Sequence, residues 1–273
     1  MNKMPRTNVG GIYISRIICG TNWILGYSHQ TYSKDRIIKE TMDEKRAVDI
    51  LTTCIKNGIN AVMGPPDEFL VKCIEKAKDK EGKELIYICT PWKIEEIEWA
   101  KEKGAKICMP HTSVTDTYVN KREKNLNGIE IWLKKIREYE MIPGLSTHLP
   151  ETVIYADATE INVETYIQIY NPIGFLCQIE VEWIYKIINE AKKPIIVIKP
   201  FAGGRITPFV GLNFVVNTIR DIDMITIGFT SSYEVEEDVE IFYSILEKRR
   251  PNIEYQITRS KKSLEKRGKN ENN

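Results

Sequence analysis

Imidazole side chains act as general acids and bases near neutral pH, and they also bind metal ions. The chain has three histidines, His29, His111 and His148, which stand far apart in the sequence. Their spacing does not form a known ligand pattern, so no metal site is predicted. His111 follows the apolar run AKICMP, where a strand end would present it to a ligand. We therefore predict that His111 contacts a ligand and is a candidate catalytic residue, with an ordinary loop histidine as the alternative.

Lys199 is the second candidate catalytic residue, near the end of the apolar run PIIVIKP. A lysine whose pKa is lowered by burial forms an imine with a carbonyl compound. A lysine at a buried strand end otherwise needs a carboxylate or a ligand phosphate as its partner. Both hypotheses are kept, and the ion pair is the simpler of the two.

The segment IGFTSSYEV combines a glycine and several hydroxyl groups with the predicted start of a helix. Free backbone N–H groups at a helix N-terminus bind phosphates. Gly228, Thr230, Ser231 and Ser232 are therefore predicted to bind a phosphate of a ligand or cofactor. Plain N-capping by Ser231, with Glu234 three residues later, is the alternative, and the two roles are compatible.

Short apolar runs alternate with helical patterns along the whole chain, as in repeated βα units. Eight such runs lie at 14–20, 59–64, 85–90, 105–110, 141–146, 165–171, 194–200 and 224–229. This rhythm predicts an α/β fold, a (β/α)8 TIM barrel, whose chemistry lies at the carboxyl ends of the strands. Further candidates at these predicted strand ends are Asn22, Trp23, Asp67, Thr90, Trp92, Ser146, Gln168 and Asn171.

Helix boundaries follow from local motifs. Thr41 and Glu44 have the spacing of a capping box, and Gly58 follows the last turn of the apolar-periodic segment after them. Residues 67–80 and 93–104 carry apolar side chains at intervals of three and four. These patterns predict three of the helices that alternate with the strands.

Length and charge exclude several classes of protein. One large barrel accounts for 273 residues. With a net charge of +1, the chain lacks the positive electrostatic field of a general nucleic-acid-binding surface. No apolar run approaches the roughly 18 residues of a membrane span, and the opening stretch lacks the apolar core of a signal peptide. We expect a cytoplasmic protein that binds a small molecule but neither nucleic acid nor membrane, and the sequence does not predict its oligomeric state.

The domain organisation is predicted to be simple. We expect one barrel domain over residues 1–250, introduced by a short N-terminal hairpin, and a basic, mobile tail over residues 251–273. The last part of that tail, 256–273, holds six lysines and arginines against two glutamates. The six cysteines show no CxxC spacing and are expected to be reduced thiols.

Five motifs resemble, in order and spacing, those of the aldo-keto reductases. RTNVGGIYISRIICGT resembles the opening hairpin and first strand of that family, and GLSTH resembles its fifth-strand motif. YIQIYNP resembles the sixth strand, VIKPFAGGRITP the seventh-strand segment, and ITIGFTSSYEVEEDV the cofactor-phosphate loop. The likeness extends from about Arg6 to Leu246. It implies a TIM barrel and reduction of carbonyl compounds by NADPH.

The catalytic set that the resemblance implies is degenerate. The family uses an aspartate, a lysine, a histidine and a proton-donating tyrosine. His111 is the counterpart of the histidine. In place of the aspartate and tyrosine the chain has NAVMGPPDE, which offers only Asp67 at a predicted helix start, and Thr90 stands where the lysine would end the third strand. His111 is thus either a ligand contact or a remnant of a lost activity.

Only some of the cofactor-binding residues that the resemblance implies are present. Ser146 and Gln168 match residues that hold the nicotinamide carboxamide, whereas Thr147 replaces the neighbouring asparagine. Carboxylates occupy the region where the family often binds a 2′-phosphate, and they would repel it. They are Glu234, Glu236, Glu237 and Asp238. The resemblance therefore implies NAD(P)H, the carboxylates argue against its binding, and no cofactor is assigned.

Four functional hypotheses follow. The first is a reductase-like barrel with a degenerate catalytic set that binds a small ligand, phosphorylated or a nucleotide, at its C-terminal face. The second is an NAD(P)H-dependent oxidoreductase with His111 as the acid, assisted by Tyr118 or Tyr170. The third is a lyase or isomerase that forms an imine on Lys199, and the fourth is a regulatory or scaffold subunit. We rank the first ahead of the others.

Overall fold

The eight apolar runs form the eight strand positions of a closed barrel, as predicted. The computed structural model describes residues 4–264. In barrel order the strands are β3 (Ile17–Gly20), β4 (Ala61–Gly64), β5 (Ile86–Cys89), β6 (Ile107–Cys108), β9 (Ile142–Pro143) with β10 (Leu145–Ser146), β11 (Tyr166–Ile169), β12 (Ile195–Ile198) and β13 (Met224–Gly228). All pairings within the barrel are parallel, and β13 pairs with β3.

The fifth barrel strand is interrupted at Gly144. Its first half, β9, pairs with β6, and its second half, β10, pairs with β11, so the interruption joins the two ends of the sheet. A Cβ at Gly144 would lie 2.6 Å from Met109 Cε and 2.7 Å from Thr165 O. Only glycine allows this close approach of the neighbouring strands.

The barrel interior is apolar and is closed at its N-terminal end by a hairpin. Ile88, Ile107 and Ile196 belong to the inner cluster of buried side chains. Strands β1 (Arg6–Val9) and β2 (Ile12–Ser15) pair antiparallel and add their own apolar side chains to that cluster. This confirms the predicted hairpin. Since the hairpin covers one end, the open end of the barrel is the one at the carboxyl termini of the strands.

Ten α-helices lie among the described residues. They are α1 (Tyr32–Thr41), α2 (Glu44–Lys56), α3 (Glu68–Glu81), α4 (Glu96–Glu102), α5 (Thr112–Thr115), α6 (Glu130–Glu138), α7 (Pro150–Ala158), α8 (Val181–Glu190), α9 (Pro208–Thr218) and α10 (Ser232–Leu246). A second small hairpin pairs β7 (Val119–Asn120) with β8 (Asn125–Leu126). Short 3-10 helices span Asp116–Tyr118 and Arg259–Leu264.

The predicted capping box at Thr41 and Glu44 is wrong. Thr41 is the last residue of α1, a helix that the sequence motifs did not predict, and its hydroxyl donates to the Ile37 carbonyl at 2.8 Å. Asp43 caps α2 instead, because its carboxylate accepts the Arg46 N–H at 2.8 Å. A short acidic side chain next to the first turn competes successfully for that N–H.

The chain after the barrel is only partly described. Residues 251–258 have no regular secondary structure. The predicted basic tail over 251–273 therefore stays a prediction, and its residues 265–273 lie outside the described part. Among the described residues, no helix combines the length and the apolar character needed to cross a membrane.

Candidate functional site

A cavity of about 830 Å³ opens at the carboxyl ends of the barrel strands. Two residues of the predicted catalytic pair, His111 and Lys199, line it together. The other predicted residues along its wall are Asn22, Trp23, Thr90, Ser146, His148, Gly228 and Thr230. The sequence therefore located the cavity through residues that lie far apart in the chain.

Lys199 follows β12 and lies among the three histidines. Its backbone is left-handed, with φ of 58°, a conformation that non-glycine residues rarely adopt. Burial, followed by the Lys199 charge, lowers the pKa of His29, His111 and His148, and all four side chains line the same cavity. Burial lowers the pKa of Lys199 itself to about 8.

No partner for the Lys199 ammonium exists among the described residues. Elsewhere the chain pairs its buried cations: Arg16, which is 4% exposed, donates to Asp221 and to the carbonyls of Asp223 and Arg220. The ion pair predicted as the simpler role of Lys199 is therefore not formed within the described chain. If Lys199 forms an ion pair, its partner must therefore be a ligand.

His111 begins the segment after β6, at the cap position of α5. Its Nδ1 accepts the backbone N–H of Ser113 at 3.2 Å, so the neutral ring carries its proton on Nε2. Its ring centroid lies 5.3 Å from that of Trp92. Burial, followed by the Lys199 charge, lowers the His111 pKa. The ring is therefore neutral near pH 7 and offers one N–H donor.

His148 is positioned by a half-buried carboxyl group, that of Asp116. Asp116 accepts hydrogen bonds from the Thr147 hydroxyl and from the His148 N–H, the latter at 3.2 Å. These bonds connect the loop after β6 to the loop after β10. Burial and then the Lys199 charge lower the His148 pKa to about 3, so this ring is also neutral.

Two loops meet beside Lys199 at the rim of the cavity. Gln30 donates to the Gly203 carbonyl at 2.8 Å, and Arg205 donates to the His29 carbonyl at 3.2 Å. Asn22 Nδ2 lies 2.7 Å from His29 Nε2. Desolvation by the wall, followed by the Lys199 charge, lowers the His29 pKa to about 4.

The helix start after β13 is occupied by a carboxylate of the chain itself. Ser231 caps α10 by accepting the Glu234 N–H at 3.3 Å, as the capping alternative predicted. The Glu234 carboxylate in turn accepts the Thr230 N–H at 2.6 Å and the Thr230 hydroxyl at 2.8 Å. A phosphate at this helix end would meet a carboxylate already bound to those donors. These residues do not fit the 2′-phosphate of NADPH.

Asp238 lies further along α10 and also lines the cavity. It is 3% exposed. Burial, followed by the charges of Glu234 and Glu237, raises the Asp238 pKa to about 8. This carboxyl group is therefore mostly protonated at pH 7, which is the opposite of the usual state of an aspartate.

Several predicted site residues do not line the cavity. Gln168 is fully buried, its Oε1 has no partner among the described residues, and the inward position beside it on β11 belongs to Ile167. Ser231 and Ser232 lie at the start of α10 but outside the cavity wall. Asn171 holds its own loop by bonding both the N–H and the carbonyl of Phe175. Contacts of Gln168, Ser231 and Ser232 with a cofactor stay predictions.

The tyrosines proposed to assist His111 are directed elsewhere. Tyr118 accepts a hydrogen bond from Trp132 Nε1 at 3.0 Å, and Tyr170 lies 3.1 Å from the Thr218 hydroxyl in the outer layer. Neither lines the cavity, and no other tyrosine does within the described part of the chain. Asp67 caps α3 by accepting the Leu70 N–H at 2.8 Å. The cavity therefore lacks the proton donor that the family resemblance implies.

Two cationic residues of the cavity escaped prediction. Lys34 and Arg205 lie in a helix and a loop whose paths over the barrel depend on tertiary packing. The glycine pair Gly203 and Gly204 before Arg205 was the available signal, because such a pair marks a sharp turn. Among the described residues, no group of three or more His, Cys, Asp and Glu side chains is arranged to hold a metal ion.

Solved structures with similar folds include several aldo-keto reductases. One from Bacillus halodurans has a TM-score of 0.59 and 12% identity over 93% of this chain and 99% of that one. One from Brucella melitensis has a TM-score of 0.58 and 11% identity over 89% and 93%. The chain has the aldo-keto reductase barrel fold. The resemblance drawn from the five motifs is thereby confirmed at the level of the fold.

The comparisons do not extend to activity. A truncated 3-deoxy-D-arabino-heptulosonate 7-phosphate synthase from Thermotoga maritima has a TM-score of 0.56 and 13% identity over 90% and 93% of the two chains. Proteins named for different activities thus share this barrel with the chain, and function must be argued from the site. No family model and no curated protein matches the sequence.

Proposed function

We propose that this reductase-like barrel binds a small molecule with an anionic group, a carboxylate or a phosphate, at the Lys199 side of its cavity. The observation that carries the proposal is the ammonium of Lys199, which lies in the cavity without a carboxylate partner among the described residues. A desolvated cation without a partner is unfavourable, so an anionic ligand would gain affinity by supplying the missing charge.

The rim of the cavity supports the same ligand class. Lys34 and Arg205 line it, and neither forms an ion pair within the described chain. Lys34 lies 5.8 Å from the Trp23 ring, and the Arg205 guanidinium lies 3.9 Å from the Phe175 ring. Lys34 therefore keeps its charge between an aromatic face and solvent. The Arg205 guanidinium donates to the His29 and Ala202 carbonyls but meets no carboxylate among the described residues, so both cations can attract an anion towards Lys199.

The standard reduction is not part of the proposal. The lining holds no tyrosine among the described residues, and the carboxylate of Glu234 occupies the donors at the start of α10. An oxidoreductase that uses His111 with Tyr118 or Tyr170 loses support, because neither tyrosine lines the cavity. Binding at Lys199 needs none of these groups.

Calorimetric titration with glycerol 3-phosphate and with lactate tests the proposal. We expect saturable binding of at least one of them to the unaltered protein, and about threefold weaker binding in Lys34→Gln, since a surface charge contributes roughly 1 kcal/mol or less. Lys134→Gln is the matched control, because Lys134 is 80% exposed and lies away from the cavity. Equal loss in both variants, or no binding by the unaltered protein, would contradict the proposal.

Titration with NADPH and NADH distinguishes the proposed anion binding from the alternative function, an NAD(P)H-dependent oxidoreductase. The fluorescence of Trp23, which lines the cavity, reports on binding there. We expect no saturable change with NADPH and no turnover of simple aldehydes. Turnover at ordinary enzymatic rates would favour the oxidoreductase instead.

A further inference from the structure

We infer that Lys199 is a nucleophile that forms a reversible imine with an aldehyde or ketone carrying an acidic group. This deepens the proposed function and rests on it, because the anionic group would hold the carbonyl carbon beside the amine. The inference stands on three features: the isolation of the Lys199 ammonium, its conformation, and the neutral imidazoles around it.

Several other cations of the chain have carboxylate or carbonyl partners, whereas the Lys199 ammonium has none among the described residues. Arg220, at the other end of the barrel, binds Asp223 at 2.7 Å and the Lys193 carbonyl at 2.9 Å. Lys193, at the beginning of the same strand as Lys199, pairs with Glu164 at 3.2 Å. A carboxylate beside Lys199 would keep its amine protonated. The absence of one within the described chain leaves the amine free to deprotonate.

The backbone at Lys199 is held in a conformation that costs free energy. Lys199 and Ala202 both have left-handed φ angles, 58° and 52°, within one tight turn closed by the Ala202 N–H on the Lys199 carbonyl at 2.9 Å. L-residues rarely adopt this region, so holding two of them there costs conformational free energy. Such strain is found at functional sites, and Lys199 lines the cavity from this turn.

Burial also prepares the amine for attack. It lowers the Lys199 pKa from 10.5 to about 8, so a substantial fraction of the amine is neutral at mildly alkaline pH. Only the neutral amine attacks a carbonyl carbon. An ordinary surface lysine is almost entirely protonated under the same conditions.

His111 can assist imine formation through its Nε2–H. The Lys199 Nζ lone pair attacks the carbonyl carbon, the C=O π pair moves to the oxygen, and the His111 Nε2–H can hydrogen-bond that oxygen. A proton then passes from Nζ of this adduct to the oxygen and gives a carbinolamine. The nitrogen lone pair expels the hydroxyl group as hydroxide, which takes the remaining Nζ proton and leaves as water, and a C=N bond forms. One amine and one carbonyl compound thus give one imine and one water, with no change of oxidation state.

Borohydride trapping tests this inference in the intact protein. The probes are pyruvate and dihydroxyacetone phosphate, each added with borohydride and followed by peptide mapping. We expect labelling of Lys199 on the order of tenfold above Lys193 in the same digest, increasing between about pH 6 and pH 9. Lys199→Arg should lose the label, whereas Lys193→Arg, at the paired lysine before the same strand, should keep it. Lactate and glycerol 3-phosphate are the carbonyl-free analogues, and their binding to the unaltered protein is measured in parallel.

The outcomes separate this inference from the proposed function. Binding of an analogue without any Lys199 label from either carbonyl probe would overturn the imine and leave anion binding intact. Absence of both binding and label would overturn both. A label spread evenly over surface lysines, with Lys199 no more reactive than Lys193, would also overturn the imine.

Discussion

Two parts of the cavity wall, called the cationic end and the acidic end, differ in charge, although they follow the neighbouring strands β12 and β13. At one end Lys199 and Arg205 line the wall without a carboxylate partner in the described chain. At the other end Glu234, Glu237 and Asp238 are grouped on the first turns of α10, where burial, followed by the two glutamate charges, raises the pKa of Asp238. The cationic end therefore lacks an anion, whereas the acidic end already places a carboxylate on its helix N-terminus.

This difference separates the proposed anion site from the one that the fold alone suggests. The loop after the eighth strand is where a TIM barrel frequently binds phosphate. Here Glu234 fills that position, and an uncompensated cation stands at the seventh strand instead. Anion binding is thus expected at a different strand end from the one that the fold alone suggests.

Removing the cation should produce the largest effect. In Lys199→Met we expect binding of glycerol 3-phosphate to weaken by about tenfold to a hundredfold, since a desolvated charge pair is lost. The same variant should be more stable at pH 7, by about 1–2 kcal/mol, because the folded-state pKa is depressed and the charged lysine opposes folding below pH 8. Binding calorimetry and chemical unfolding measure the two changes. A loss of stability with unchanged binding would show a structural lysine.

Asp238 tests the acidic end through the pH dependence of stability. Its folded-state pKa of about 8 lies above its ordinary 3.8, so between these values the folded state binds more protons. This carboxyl group therefore makes the protein less stable as the pH rises from about 4 to 8. Asp238→Asn should remove that decline and add about 1–3 kcal/mol at pH 8. Chemical unfolding of both proteins at pH 5 and pH 8 measures it, and parallel pH profiles would contradict it.

Glu234 links the acidic end to phosphate binding. Glu234→Ala frees the Thr230 N–H and hydroxyl and should cost about 0.5–1 kcal/mol of stability. Inorganic phosphate should then stabilise the variant more than the unaltered protein, because the vacated helix start can accept an anion. Thermal unfolding with and without phosphate measures this, with Glu236→Ala, an exposed neighbour, as the control. An identical phosphate response in all three proteins would argue against the assignment.

His148 tests the electrostatic link between Lys199 and its neighbours. Its pKa is depressed from 6.5 to about 3, so the unfolded state binds more protons in that window and stability falls as the pH drops below about 6.5. His148→Gln should reduce this acid destabilisation by about 1 kcal/mol. Lys199→Met should also reduce it, since the lysine charge contributes to the depression. Acid unfolding profiles that do not differ among the three proteins would remove the electrostatic link.

The sequence predicted the barrel because each strand is a short apolar run between recognisable helices. It missed α1, which contains few apolar residues, so periodicity gave no signal there. It also placed the start of α2 at Thr41, since two short polar side chains, Thr41 and Asp43, competed for the same cap. Local motifs do not settle such a competition.

Only the part of the candidate site that lies directly after strands could be predicted from the sequence. His111 and Lys199 follow strands directly, so the barrel rule alone brings them to one face. Gln168 was expected in the cavity from a motif, although strand alternation directs Ile167 inward and Gln168 outward. The positions of Lys34 and Arg205 depend on the paths of two loops that contact each other across the rim. No local sequence pattern predicts that contact.

The most direct test is a crystal structure of the protein soaked with glycerol 3-phosphate. Its phosphate has two competing positions, beside Lys199 or at the first turn of α10. The account predicts phosphate density within hydrogen-bonding distance of Lys199 Nζ, with Glu234 still bound to Thr230. Density at the start of α10 with Glu234 displaced, or no density near Lys199, would contradict it.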